Sequence, residues 1–515
     1  MNKEQILWAD DEIDLLKPHI LFLQNKGYEV TTVTNGRDAL DAISQQNFHL
    51  IILDENMPGI SGLEALQQIK IAQPNVPVIM ITKSEEENIM NQAIGSEIAD
   101  YLIKPVNPMQ ILLSIKKNLH SEALVAQKAT SDYQQEFMSI SQQIAMASTI
   151  DDWYQLYNTL VRWELTLSNA ETGMADMLRM QKLEANSAFA KMVKRNYEKW
   201  VTTDDHPLMS NEIFKTQIFP HIDAGEKVCF IVIDNFRLDQ WRTISPLLND
   251  YFNIEKEELY TTILPTATQY ARNAIFSGLM PIDIERMFPE LWVDEDEDEG
   301  KNLNEAPLIQ TILDRYRRKC KFSYNKLNDS AAGERLVQHF AQLKNFDLNV
   351  IVFNFVDILS HARTESKMIR ELAYTDEAYR SLTVTWFKNS YVLEIFKRIA
   401  EQGWKIVLTT DHGTTRVDNA IKVIGDKNTN TNLRYKVGKN LSYNPRQVYE
   451  VKQPKRFGLP LLNVSSTYIF ASGRDFFAYP NNYNHYVQYY NDTFQHGGIS
   501  MEEMLVPLIT LTPKK

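Results

Sequence analysis

The stretch Leu50-Ile51-Ile52-Leu53-Asp54-Glu55-Asn56-Met57-Pro58-Gly59 decides how the first part of this chain folds. Its apolar run is too short for a helix. It reads as a strand buried on both faces and ended by Asp54, with a turn at Pro58-Gly59. Comparable signals occur at Gln5–Ala9, Glu29–Val33, Val78–Ile81 and Ala99–Ile103, separated by stretches of helical period. Strands spaced by helices imply parallel βαβ units, here a flavodoxin-like, doubly wound α/β sheet over residues 1–120.

A parallel sheet brings its strand ends to one edge. Asp10 and Asp11 follow the first strand, Asp54 ends the third, Thr82 the fourth and Lys104 the fifth, before Pro105. A hard Mg2+ needs oxygen ligands: carboxylates from Asp11 and Asp54, a water held by Asp10, and a backbone carbonyl from Asn56. Lys104 is a point charge for phosphoryl oxygens, and the Thr82 hydroxyl can donate to them. A single aspartate at a strand end is usually a turn or a helix cap; the ordered set points to phosphoryl transfer onto Asp54. Together with Asp54 to Gly59 and Lys104-Pro105, this region resembles response-regulator receiver domains. That resemblance implies a sensor histidine kinase as partner, a Lys104-Pro105 bond that is commonly cis, and Thr82 with Tyr101 as the switch pair.

At 515 residues the chain needs about three domains. A net charge of -12 argues against sequence-independent DNA binding, which requires clustered Lys and Arg. Only Cys229 and Cys320 occur, read as free thiols in a reducing compartment. Met1 leads directly into a strand without a signal peptide, and no apolar run approaches the ~20 residues of a membrane span, so the expected location is the cytoplasm.

Residues 121–206 contain no Pro, and apolar side chains recur at helical spacing (Trp153, Leu156, Leu160, Trp163). A polar helix leaving the first domain and two or three packed helices are expected. Residues 207–515 form a second α/β domain with strands at Val228–Ile233, Leu348–Phe353 and Lys405–Leu408 and an irregular cap or insertion over 413–495. The acidic run Asp294–Glu299 reads as a solvated loop.

The polar residues after these strands carry chemistry, because open α/β sheets bind ligands beyond their strand ends. Asp234 follows the first, Asp357 and His361 the second at four-residue spacing, Asp411 and His412 the third, and His496 precedes Gly497-Gly498. The other seven of the ten histidines read as surface or packing residues. Carboxylates and imidazoles together suit Zn2+ or Mn2+, and with one hydroxyl the set suffices for two ions sharing a phosphate. One Asp–His pair is more commonly a salt bridge, and Thr266-Ala267-Thr268 alone a helix cap; the ordered set reverses both.

The order Asp234, Thr, Asp357-x-x-x-His361, Asp411-His412-Gly413, His496-Gly497-Gly498 resembles the alkaline phosphatase superfamily. Val232 to Arg237 and Pro265 to Tyr270 are most similar to its PglZ branch. By position, the resemblance implies that Asp357, His361 and His496 hold one zinc, and Asp234, Asp411, His412 and Thr268 the other. The spacing from Pro265 to Gly278 in the superfamily's phosphodiesterases implies Thr268 as nucleophile, with Thr266 the runner-up, and phosphodiesters as substrates. Oligonucleotides or cyclic nucleotides follow by the same resemblance, and Tyr483, Tyr486, Tyr489 and Tyr490 would suit stacked bases. Arg237, Arg272, Asn273 and Arg363 could bind phosphate oxygens or serve in structural salt bridges.

The three parts in series resemble the PorX-type response regulators, on Asp10 to His19 and Met80 to Glu85 as well as on the domain order. This implies a link to the type IX secretion system, a sigma factor and a secretion component as partners, and a phosphorylation-dependent homodimer. Two readings follow: a phosphorylation-controlled two-zinc phosphodiesterase, or a catalytically silent zinc-binding effector that recruits a partner when phosphorylated. The helices of 121–206 are expected to transmit the signal.

Overall fold

The computed structural model describes residues 3–83, 87–168, 172–294, 302–425, 429–463 and 465–514. The acidic run therefore lies outside the described residues except for Asp294, as do Ser84 and Glu85. Two compact units result, Met1–Ser131 and Asp132–Lys515. Their boundary falls within one helix, Pro108–Met146, inside the segment read from sequence as a helical domain over 121–206.

In the first unit five parallel strands run in the order Glu29–Val33, Gln5–Ala9, Leu50–Asp54, Val78–Thr82, Asp100–Ile103. The Leu50–Asp54 strand is buried throughout, as an apolar run covered on both faces must be. One face packs Leu7, Ile51, Leu53 and Met80 against the helices Gly36–Gln45 and Gly62–Ala72. The other packs Ile6, Trp8, Ile52 and Ile79 against Ile111 and Ile115. Strand order reverses between Gln5–Ala9 and its two neighbours, and the crevice there is where such sheets place ligands.

The second unit is built on a six-stranded mixed sheet: Phe252–Thr261, Leu505–Pro513, Lys405–Thr409, Val228–Ile233, Leu348–Phe353, Phe322–Leu327. The four strands from Lys405–Thr409 to Phe322–Leu327 are parallel, and Leu505–Pro513 is antiparallel to both its neighbours. Val228–Ile233 and Leu348–Phe353 are buried along their whole length. The helices Ile150–Thr166 and Thr172–Thr202 belong to this unit. Trp153, Leu156, Leu160 and Trp163 are buried on one face of the first of them, and Thr149 caps it in a reciprocal bond with Asp152. Among its described residues, the region 413–495 carries three small sheets of two or three strands and the helix Tyr483–Tyr490. No described helix is long and apolar enough to cross a membrane. Both cysteines are free; Cys229 is buried and Cys320 only half-buried.

Candidate functional site

In the receiver-like unit, Lys104 Nζ lies 2.8 Å from Asp10 Oδ2 and 2.9 Å from Asp54 Oδ2. Asp10 and Asp54 are buried while Asp11 is exposed at the mouth. Carboxylate oxygens of all three lie within 4.8 Å of one another. Burial raises Asp54 above the ordinary carboxylate range against the pull of Lys104. Burial would lower Lys104, but its hydrogen bonds to Asp10 and Asp54 outweigh that and raise it. The buried Asp54 Oδ1 has no hydrogen-bond partner among the described residues, and a buried oxygen left unpaired costs free energy. A divalent cation fits that arrangement. Thr82, buried, ends its strand beside this edge, and Tyr101 is half-buried against the core of the neighbouring face. Asn56 is exposed. Lys104-Pro105 is cis. Gly62 is required, since a Cβ there would lie 2.4 Å from the Asp54 carbonyl oxygen.

In the second unit, the loops after three parallel strands and the segment before Leu505–Pro513 converge. Asp357, His361 and His496 form one cluster and Asp234, Asp411 and His412 another, each with ligand atoms within 4.8 Å of one another. Asp357 to His361 is 3.5 Å and Asp357 to His496 is 3.8 Å. Asp234 Oδ1 to His412 Nε2 is also 3.8 Å. These gaps exceed hydrogen bonds and are close to the ~3.4 Å expected between tetrahedral ligands each ~2.1 Å from an ion. The rings of His412 and His496 stack at 4.2 Å, joining the clusters.

The histidines are oriented by backbone. His496 Nδ1 lies 3.0 Å from the Thr266 carbonyl and His412 Nδ1 3.1 Å from the Gly413 carbonyl. A proton on each Nδ1 leaves Nε2 as a free base facing the carboxylates, as metal-binding imidazoles require. Burial and the neighbouring His412 push His496 down to about 3, so its ring is neutral. His361 is the exposed member of the set, its side chain 59% accessible.

The helix Thr268–Ser277 supplies two further groups from one face, at i and i+4. Thr268 Oγ1 is 3.4 Å from Asp234 Oδ1 and 3.2 Å from His412 Nε2. Arg272, fully buried, pairs with the other oxygen of Asp234, with Asp411 Oδ2 at 2.9 Å and with Glu305 at 3.1 Å. Burial raises Asp234 well above its ordinary value despite Arg272. For Asp411 burial acts the same way, but Arg272 and His412 outweigh it and bring the group to about 2. The helix ends at Gly278 with φ 63°, where a Cβ would meet Ile312 at 2.4 Å.

Thr266 is engaged elsewhere. Its hydroxyl donates to the Gly498 carbonyl at 3.0 Å and accepts from Gly497 N at 2.9 Å. It thereby fixes the loop bearing His496 and leaves Thr268 as the hydroxyl beside Asp234. The arginines are also committed: Arg237 to Asp239 and Asp376, Arg272 to three carboxylates, Arg363 to the backbone carbonyls of Ala373 and Tyr374. Asn273 is buried. Tyr483 donates to the Ala420 carbonyl, Tyr486 stacks on Tyr490, and Arg370 lies over Tyr489.

Sequence reasoning missed Asn235 and Glu503. Asn235 takes φ 60° and donates to Asp357 at 3.1 Å and Ser360 at 3.0 Å; Asn tolerates that backbone, and its place after Asp234 was the available signal. Glu503 accepts from Gly498 N at 2.9 Å and Arg434 at 2.6 Å and had no local signal.

Family models match three successive parts of the chain. They are a response regulator receiver domain over residues 6–116, a PorX response regulator linker domain over 123–201 and a BREX system PglZ alkaline phosphatase-like domain over 213–511. Among curated proteins, transcriptional regulatory protein ResD of Bacillus subtilis is 32% identical over 115 residues, 22% of this chain and 48% of ResD. The alkaline phosphatase synthesis transcriptional regulatory protein PhoP of the same organism is 29% identical over 168 residues, 32% of this chain and 68% of PhoP. The chain spans about half the length of the first of these curated relatives. Among solved structures, a CheY-like receiver domain protein of Methanospirillum hungatei JF-1 is 28% identical. It covers 23% of this chain and 96% of its own, with a TM-score of 0.23. TrrA of Thermotoga maritima, in complex with Mg2+ and BeF, is 32% identical over 22% of this chain and 99% of its own, with a TM-score of 0.21.

A receiver implies a sensor histidine kinase as partner, and receivers and alkaline-phosphatase-like domains generally bind divalent metals. With the alkaline-phosphatase-like match spanning more than half its residues, the chain belongs to the PglZ family, as a two-component response regulator of PorX-type architecture with that domain as effector.

Proposed function

We propose that the effector is a zinc-dependent phosphodiesterase controlled by phosphorylation of Asp54. The observation that carries this reading is the Thr268 hydroxyl, half-buried and within 3.4 Å of both Asp234 and His412, beside a second cluster of two histidines and an aspartate. A structural metal site needs no such hydroxyl. Two divalent ions held by these residues would lower the pKa of the Thr268 hydroxyl and neutralise phosphoryl charge. Asp357, His361 and His496 would hold one, and Asp234, Asp411, His412 and Thr268 the other.

Thr268 Oγ attacks phosphorus, and the bond from phosphorus to the leaving alcohol breaks as that oxygen takes a proton. Water then cleaves the phosphothreonine and returns the hydroxyl. Arg272 and the backbone-held histidines keep the acceptors aligned throughout. In the receiver, Asp10, Asp11, Asp54 and the Asn56 carbonyl serve Mg2+, Lys104 and Thr82 serve the phosphoryl group, and Tyr101 reports the state of Thr82.

Our reading extends to a homodimer formed on phosphorylation, supported by Ile94, Ile103, Met109 and Leu113, large apolar side chains left exposed on the receiver. It also extends to a cytoplasmic role in type IX secretion, with a sigma factor and a secretion component as partners and oligonucleotides or cyclic nucleotides as substrates. The PorX linker match supports the first of these. The test is metal analysis with bis-p-nitrophenyl phosphate and p-nitrophenyl phosphate hydrolysis, with and without beryllofluoride. Thr268→Ala is expected to keep its metal and lose diester cleavage by at least a thousandfold, while Thr266→Ala keeps the Thr268 hydroxyl. Wild-type protein loaded with two zinc ions that cleaves neither ester would end the enzyme reading.

A further inference from the structure

Two segments beside candidate ligands or Thr268 in the second unit are held directly by the helix Thr172–Thr202, and a third is reached from the helix Ile150–Thr166 through Arg380. Leu264 N, two residues before Thr266 and four before Thr268, donates to the hydroxyl of Tyr197 at 2.7 Å. Tyr197 is fully buried and stacks on Phe457. The turn Met501–Met504, just after His496, is held from Asn186. Met501 N donates to Asn186 Oδ1 at 2.8 Å, and Asn186 Nδ2 donates to Glu502 at 2.9 Å. Lys182, one turn earlier, lies 3.2 Å from Glu502 and 2.6 Å from Glu164. Glu164 pairs at 2.7 Å with Arg380, which reaches Asp239, the partner of Arg237 on the loop after Asp234.

The middle contact is the most consequential. The turn that Asn186 grips also supplies Glu503, which accepts from Gly498 N and lies 3.5 Å from the Thr266 hydroxyl. The same turn abuts the other histidine: Gly413 N donates to Glu503 O at 3.1 Å, and a Cβ on Gly413 would lie 2.0 Å from Glu502 O. A shift of this turn therefore moves the backbone beside both His412 and His496. Of the groups on these helices, Asn186 and Tyr197 are uncharged side chains that accept buried backbone N–H groups, and loss of either acceptor leaves an unpaired N–H.

We infer that Asn186 and Tyr197 are positioning residues of the metal centre, so that the placement of the two helices sets the geometry of the ligands. The inference rests on the metal-site reading above and adds regulation of that site by the linker helices. Tyr133, on the helix that begins in the receiver, bonds Gln181 at 2.9 Å, one residue before Lys182. That bond joins the helix to the one that carries Asn186 and Tyr197.

The experiment measures zinc affinity by competition with a chromophoric chelator, together with kcat and KM for bis-p-nitrophenyl phosphate, in the full chain. Tyr197→Phe, which deletes one oxygen, and Asn186→Leu are compared with Ile140→Ala, a void among buried helix residues that makes none of these bonds. Expected are a roughly tenfold loss of zinc affinity in both positioning variants and a fall in kcat at nearly constant KM. Ile140→Ala is expected to lower Tm alone. Wild-type zinc affinity in Tyr197→Phe and Asn186→Leu, with only a lowered Tm, overturns the inference. If the wild type binds zinc but cleaves no ester, the hydrolase reading fails and the affinity comparison still decides this one.

Discussion

Replacing Arg272 by methionine isolates the charge at the centre of the second unit. Arg272 is fully buried and faces Asp234, Asp411 and Glu305. Glu305 keeps Lys326 at 2.9 Å and the hydroxyl of Tyr324, so two carboxylates lose their cation. Removing one partner of a buried pair costs about 3–5 kcal/mol. Burial already favours the protonated form of Asp234, which places the expected loss near the lower end, about 3–4 kcal/mol, rather than at twice that. The orientation of Asp411 survives, because its Oδ1 still accepts from His412 N at 3.1 Å and Thr410 at 3.3 Å. What is lost is charge, and a divalent cation can supply charge. Urea unfolding followed by tryptophan fluorescence should therefore show the full deficit in chelator. With saturating zinc the deficit should shrink by at least about 1 kcal/mol, through tighter binding to the native state. A deficit below about 1 kcal/mol, or one that zinc leaves unchanged, would refute the argument that Arg272 balances the ligand carboxylates.

Two further outcomes are expected. Asp54→Asn should take up no phosphoryl group from acetyl phosphate in a phosphate-affinity gel, and retained labelling would move the acceptor elsewhere. Burial raises Asp239, Asp376 and Glu502, but Arg237 with Arg380, Arg237 with Lys182, and Lys182 respectively outweigh it and hold all three below their ordinary values. Such groups add stability that is present above the unfolded values of about 4 and lost as pH falls through the lower folded values. Urea midpoints should thus fall from pH 6 to pH 3, and Lys182→Met should flatten that slope; an unchanged slope would contradict it.

The legible parts of the fold are those where local pattern and burial coincide. Val228–Ile233, Leu348–Phe353 and Lys405–Thr409 are apolar runs between helices, and their burial on both faces is what makes them readable. Phe252–Thr261 escaped because it is an edge strand with Glu255, Lys256, Glu257 and Glu258 exposed, a charge pattern that guards an edge and hides the strand. Leu505–Pro513 escaped because Pro507 argues against an interior strand; it sits just beyond the register with Thr409, whose hydroxyl donates to its carbonyl at 2.8 Å. Within the site, residue types and order singled out the donors at strand ends, and the spacing from Pro265 to Gly278 favoured Thr268 while keeping Thr266 as the runner-up. Their separation depends on Gly497 and Gly498, 231 and 232 residues away. The bond from Asn186 to Glu502 spans 316 residues and has no local signature at all.

The position of Leu505–Pro513 in the sheet has a consequence for how the protein comes to exist. This strand is the last of the six in chain order, yet it lies between Phe252–Thr261 and Lys405–Thr409 and is paired to both. During vectorial synthesis the sheet stays in two pieces with open, hydrogen-bonding edges until residues beyond Leu505 emerge, a template for chaperone capture or misassociation. His496 enters on the same segment, nine residues ahead of that strand. The proposed metal site would therefore be complete only once that segment has emerged, and ion uptake there would report that the effector has finished folding.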